Sequence, residues 1–150
     1  MPGDAGAARA LVMAHFAGTR YLGRLGEVLD AALQFEDPEY LAVVAEEPRG
    51  LVGLVMFGTV AGARQCTRLH ALVGADPQVV TALAEAVRLV CAEAHERLVV
   101  AEVPDDAPFS ASAAALRQAG FAPEGWIDDL VADGIALQLL VWRRDTHAAP

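Results

Sequence analysis

Lysine is absent from the 150 residues, so all 11 basic side chains are arginines. Against 20 acidic residues they leave a formal net charge of −9. A chain this acidic, with its arginines scattered, lacks the basic face that nucleic acid requires, and no nucleic-acid partner is expected. It is compatible with a small cationic or neutral substrate. Cysteine is scarce: Cys66 and Cys91 each stand alone in an apolar segment. A zinc site draws on Cys and His paired at short spacing, and no such pattern is read here, so no metal is expected. The two thiols read as buried in a reducing compartment. Long apolar runs are also missing. Although 55% of residues are hydrophobic and the mean hydropathy is +0.35, no 18-residue stretch is free of charge, and no membrane span is expected. Met1-Pro2-Gly3-Asp4 carries no basic stretch followed by an apolar run, so no secretory signal is read and the expected compartment is the cytoplasm. No repeat, low-complexity tract or linker divides the chain, which predicts one domain over 1–150 with frayed ends at 1–4 and 146–150.

What is present is a change of period along the chain. Residues 5–18 and 21–35 read as helices, the second with an apolar stripe of Tyr21, Leu22, Leu25, Val28, Leu29 and Leu33. Pro38 stops it. Runs at 40–45 and 51–60 flank a turn at 46–50 and predict an antiparallel hairpin, which a third strand at 65–73 extends. Residues 76–95 form the clearest helix, with Asp76 as N-cap and Pro77 at its first position. The strand at 98–103 is apolar nearly throughout, as a strand covered on both faces should be. A short helix at 110–119 ends at Gly120. Two strands, 121–130 and 135–142, close the chain around the Asp133-Gly134 turn. The predicted class is α/β, a mixed sheet with helices on its faces in the order ααβββαβαββ.

Four ordered stretches resemble the GNAT N-acetyltransferase superfamily. They are the hairpin Tyr40–Glu46 with Gly50–Val55, the strand Arg68–Val73, the segment Ala114–Phe121 and the closing hairpin Ile127–Gly134. The resemblance spans about residues 5–143 and implies a GNAT-like fold whose usual first strand is missing. That absence would leave a sheet edge for a second copy to cover, and points to a homodimer.

As a member of that superfamily, the chain would move an acyl group from acetyl-CoA, or another acyl-CoA, to a small amine. Leu72, Val73 and Gly74 would meet the pantetheine arm. The helix start at Gln78, Val79, Val80 and Thr81 would meet the pyrophosphate, which helix N-termini favour. The family's R/Q-x-x-G-x-G/A loop is not there. Gly74-Ala75-Asp76-Pro77 stands in its place, and an Asp76 cap would take the amides that a phosphate needs. Leu116 occupies the position where many members carry the tyrosine that protonates the thiolate.

His70, in the central strand, is the candidate general base; as an alternative it is a hydrogen-bonded strand histidine. Ser112, with Ser110 near it, is a candidate proton donor or a helix-capping residue. Glu102 inside an apolar strand would need a partner or a cavity and is a candidate for binding the amine. Asp128 and Asp129, with Asp105 and Asp106, would ring the acceptor end or serve as turn residues. Phe109, Trp126 and Trp142 could line a pocket. Two functions stay open: an acyl-CoA-dependent N-acetyltransferase, and a degenerate fold that has lost acetyl-CoA and serves as a ligand-binding or protein-interaction module.

Overall fold

The computed structural model of the chain describes residues 2–34 and 39–145. The elements run α1 (Pro2–Phe16), α2 (Leu22–Gln34), β1 (Leu41–Glu47), β2 (Gly50–Thr59), β3 (Cys66–Gly74), α3 (Pro77–Glu93), β4 (Leu98–Pro104), a 3₁₀ turn (Ala107–Phe109), α4 (Ser110–Gln118), β5 (Ala122–Ala132) and β6 (Ile135–Arg143). This is the expected order. The helix stop at Pro38 lies outside the described residues. No helix of the described residues is long and apolar enough to cross a membrane.

The six strands form one mixed sheet in the order β1-β2-β3-β4-β6-β5. Leu54, Val55 and Met56 are consecutive and fully buried. Neighbouring strand residues point to opposite faces, so both faces of β2 are covered. α1 and α2 pack on β1, β2 and β3, while α3 packs on β2, β3 and α4. Both cysteines are buried and unpaired, and burial raises both thiol pKa values.

Two differences from the sequence reading matter. Glu46 and Glu47, expected in the turn, are paired in β1 after a register shift at Ala45/Glu46. The hairpin therefore turns at Pro48-Arg49, with Gly50 at φ +125°. The closing hairpin has the expected two-residue Asp133-Gly134 turn, with Ala132 opposite Ile135. However, the register slips between Ile127 and Ala132, and Asp129 sits at φ +54°.

The feature that positions the site is a split in the middle of the sheet. β3 and β4 pair in parallel only from Cys66/Leu98 to Leu69/Ala101. Beyond Leu69, β3 continues along β2 to Gly74, while β4 continues along β6 to Pro104. At the point of divergence β3 carries a bulge. Phe57 pairs with Leu69 and Met56 with Ala71, which leaves His70 as the extra residue. A bulge bends its strand and re-aims the side chain there.

Candidate functional site

His70 faces a cleft with two contiguous lobes. The larger, about 300 Å³, is walled by Arg24, Val28, Glu39, Tyr40, Thr59 and Arg68 among others. The smaller, about 200 Å³, is walled by Arg20, Tyr21, Pro104, Phe109 and Leu137. Arg24, Leu25, His70 and Glu102 belong to both lobes. The lining comes from α2 and the residues just before it, the segment before β1, the end of β2, β3, β4, the 3₁₀ turn and β6.

Within the cleft the His70 ring is fixed on two sides. Its Nε2 is 2.8 Å from the Glu39 carbonyl oxygen. That carbonyl only accepts, so Nε2 carries the proton and Nδ1 is left as the acceptor of a neutral ring. The Tyr40 ring stacks on it, with centroids 5.0 Å apart and planes 22° from parallel. Burial lowers the His70 pKa from its ordinary 6.5, the bond to Glu39 opposes this, and the guanidiniums of Arg68 and Arg24 reinforce it. The imidazole is therefore neutral at pH 7.

Tyr21 is buried in the second lobe. Its hydroxyl donates to Asp106 Oδ2 at 2.7 Å, while Asp106 Oδ1 caps the 3₁₀ turn through the Ala107 N–H at 2.8 Å. Burial, and then the Asp106 carboxylate, push the Tyr21 pKa up to about 12. Phe109 packs edge-on against the Tyr21 ring, with centroids 4.7 Å apart.

The residues that the sequence brought forward divide into three groups. His70, Glu102 and Phe109 meet in the cleft. Glu102 is not a bare carboxylate awaiting a cation, since Arg68 Nη2 lies 3.5 Å from its Oε1. A second group serves structure. Ser112 is 6% exposed and its hydroxyl donates to the Phe109 carbonyl at 3.0 Å. Asp128 accepts from Trp126 Nε1 at 2.6 Å, and Asp129 accepts from the Gly134 N–H at 2.7 Å. These four belong to the helix start and the closing hairpin, not to the cleft walls.

The third group is the proposed cofactor set around the β3–α3 corner. The connection is only Ala75-Asp76. Asp76 Oδ1 accepts from the N–H of Gln78 at 2.9 Å and of Val79 at 3.0 Å. Pro77 has no N–H to offer, and the Thr81 hydroxyl is turned back to the Pro77 carbonyl at 2.9 Å. Leu72, Val73 and Val80 are 4%, 1% and 3% exposed. A Cβ on Gly74 would lie 2.8 Å from Val80 Cγ2 and 3.1 Å from the Val80 backbone nitrogen. The space that glycine opens there is filled by the helix's own first turn.

Pro77, Gln78 and Thr81 border an open hollow of about 550 Å³ beside α3, but the first-turn amides that a pyrophosphate would draw on are taken by Asp76. Displacing Asp76 from its cap costs about 1 kcal/mol. Its exposed carboxylate beside a phosphate charge adds a repulsion of about 1 kcal/mol in water. Each 1.4 kcal/mol is a factor of about ten in affinity, so the two effects together weaken an anion at this corner by more than about tenfold.

Arg20, Arg24, Arg68, Tyr21 and Tyr40 are the cleft residues that sequence reasoning did not single out. Arg68 carried a signal, because it stands two residues before His70 on a strand, where side chains share a face. The others sit on a helix or a loop that only the fold brings over the sheet.

No protein-family model matches the chain, and no curated protein matches it. Solved structures do. One is a protein from Desulfovibrio desulfuricans assigned to the GNAT family of acetyltransferases, with a TM-score of 0.79 and 20% identity over 95% of this chain and 94% of that one. Another is the ribosomal-protein-alanine N-acetyltransferase from Brucella melitensis, with a TM-score of 0.73 and 17% identity over 96% of each chain. A third is an aminoglycoside 6'-N-acetyltransferase solved with coenzyme A, with a TM-score of 0.75 and 13% identity over 95% of this chain and 92% of that one.

Proposed function

We propose that this chain, which has the GNAT acetyltransferase fold, is a ligand-binding protein that holds a small molecule in the His70 cleft and does not use coenzyme A at the α3 corner. The observation that carries the reading is the Asp76 side chain on the amides of Gln78 and Val79. Those are the donors on which an anion at a helix start depends. The cleft itself supports binding: it is concave and partly apolar, and it brings together polar groups from α2, β3 and β4.

A second reading is N-acyl transfer from an acyl-CoA to a small amine. The unpaired edge of β3 beyond Leu69 favours it, as does the neutral ring of His70, which can accept a proton. It requires the pyrophosphate to be held somewhere other than at the start of α3. Calorimetric titration with acetyl-CoA separates the two. The first reading predicts no heat of binding at millimolar ligand. Micromolar binding would overturn it and restore the transferase.

A further inference from the structure

The cleft runs against the charge of the whole molecule. The chain carries −9, yet the walls around His70 bring together Arg20, Arg24 and Arg68 against the carboxylates of Glu39 and Glu102. Of these, Arg68 is matched by Glu102 at 3.5 Å. Among the described residues Arg24 pairs with Glu27, at 3.4 Å, the two side chains being 68% and 74% exposed. Such a pair is worth little and is readily exchanged for a better partner. Arg20 has no carboxylate within ion-pair distance among the described residues. The two lobes also differ in chemistry. Arg24, Arg68 and His70 line the first, while Pro104, Phe109 and Leu137 give the second an apolar wall.

We propose that the cleft takes a small carboxylic acid with a short apolar or aromatic tail, its carboxylate between Arg24 and Arg68 beside His70 and its tail along Phe109, Pro104 and Leu137. This rests on the reading that the cleft, rather than the α3 corner, is the binding site. It reverses the cationic substrate that the acidic composition suggests, because local charge, not net charge, meets a ligand. A guanidinium offers a carboxylate two parallel N–H donors, the geometry in which arginine binds most strongly.

The groups facing His70 are Arg24 and Arg20 from the α2 side, Glu39 and Tyr40 from the segment before β1, Arg68 on β3 and Glu102 on β4. Burial first, and then the guanidiniums of Arg68 and Arg24, hold the His70 pKa down, and a bound carboxylate offsets the guanidiniums. Binding therefore draws a proton onto His70, and affinity rises as pH falls from 8 to 6.

The test is calorimetric titration at pH 7 with 3-phenylpropionate, 3-phenylpropanamide and 3-phenylpropylamine, which share one tail and differ in charge. The acid is expected to bind, the amide at least tenfold more weakly, and the amine not at all. Arg24→Gln, on an exposed helix position, should weaken the acid by about ten- to a hundredfold, as the loss of a charged hydrogen-bond partner does, with an unchanged circular-dichroism spectrum. Repeating the titration at pH 6 and 8 should show tighter binding at the lower pH. Binding of the amine in preference to the acid, or no binding of the acid, would overturn the carboxylate assignment. Binding of acetyl-CoA in the same calorimeter would instead overturn the reading on which it rests.

Discussion

His70 is held where a proton is poorly tolerated: half-buried, under the Tyr40 ring, with Arg24 and Arg68 near it. Its folded pKa lies below the ordinary 6.5 of an unfolded chain. Between the two values the unfolded state binds more protons, so stability is complete above 6.5 and falls as pH drops towards the folded pKa. Urea midpoints at pH 5.5 and 7.5 should therefore differ in the wild type. His70→Gln should remove that share of the difference, and an equal pH dependence in the two proteins would contradict the assignment. Tyr21 makes a separate case. With its pKa at about 12 it remains a hydrogen-bond donor to Asp106 through pH 10. Tyr21→Phe should lower stability by about 1–2 kcal/mol, the loss of one bond to a carboxylate, with little pH dependence between 6 and 10 by denaturant titration. Neither environment was legible in the sequence. Tyr21 read as the first residue of an apolar stripe because its oxygen's partner lies 85 residues further on. His70 was picked out by type and strand, but the bulge that aims it is a register event between two strands.

At the scale of elements, the start of α3 was the most legible part of the chain, because Asp76-Pro77 is a local signal acting on its own next turn. The structure places the carboxylate on Gln78 and Val79 as that signal implies. Asp76→Ala should cost about 1 kcal/mol, whereas Asp76→Asn, a comparable cap, should cost much less. Gly74→Ala should cost about 1–3 kcal/mol, because its new Cβ would lie 2.8 Å from Val80 Cγ2 and 3.1 Å from the Val80 backbone nitrogen, so the first turn of α3 must shift. Thermal or urea unfolding of the three variants checks the order. If Gly74→Ala were neutral, the corner would be looser than described and room for a ligand would exist there. Less legible was the end of β5, where Asp128–Val131 depart from regular pairing and Asp129 adopts a positive φ. Periodicity cannot report a slip that the partner strand imposes.

For the whole molecule, helix and strand order was readable because each element carries its own period, and the order alone leads to a mixed sheet covered by helices. The strand order β3-β4-β6-β5, with its split beyond Leu69, was not readable. It depends on which edges meet, and that is decided by contacts distant in sequence. Nor was the gathering of Arg20, Arg24 and Arg68 with Glu39 and Glu102 at one cleft. Composition gives the charge of the whole chain and not where its charged side chains meet. The same fold occurs in acetyltransferases at 20% identity and below, where fold alone does not carry activity. At the start of α3 the amides of Gln78 and Val79 already have a partner in Asp76. Backbone amide resonances of the ¹⁵N-labelled protein, followed while coenzyme A is added to millimolar concentration, test that corner directly. The account predicts that the signals of Gln78 and Val79 stay in place and remain slow to exchange with solvent. Saturable shifts at these two residues would show the diphosphate displacing Asp76, and would contradict it.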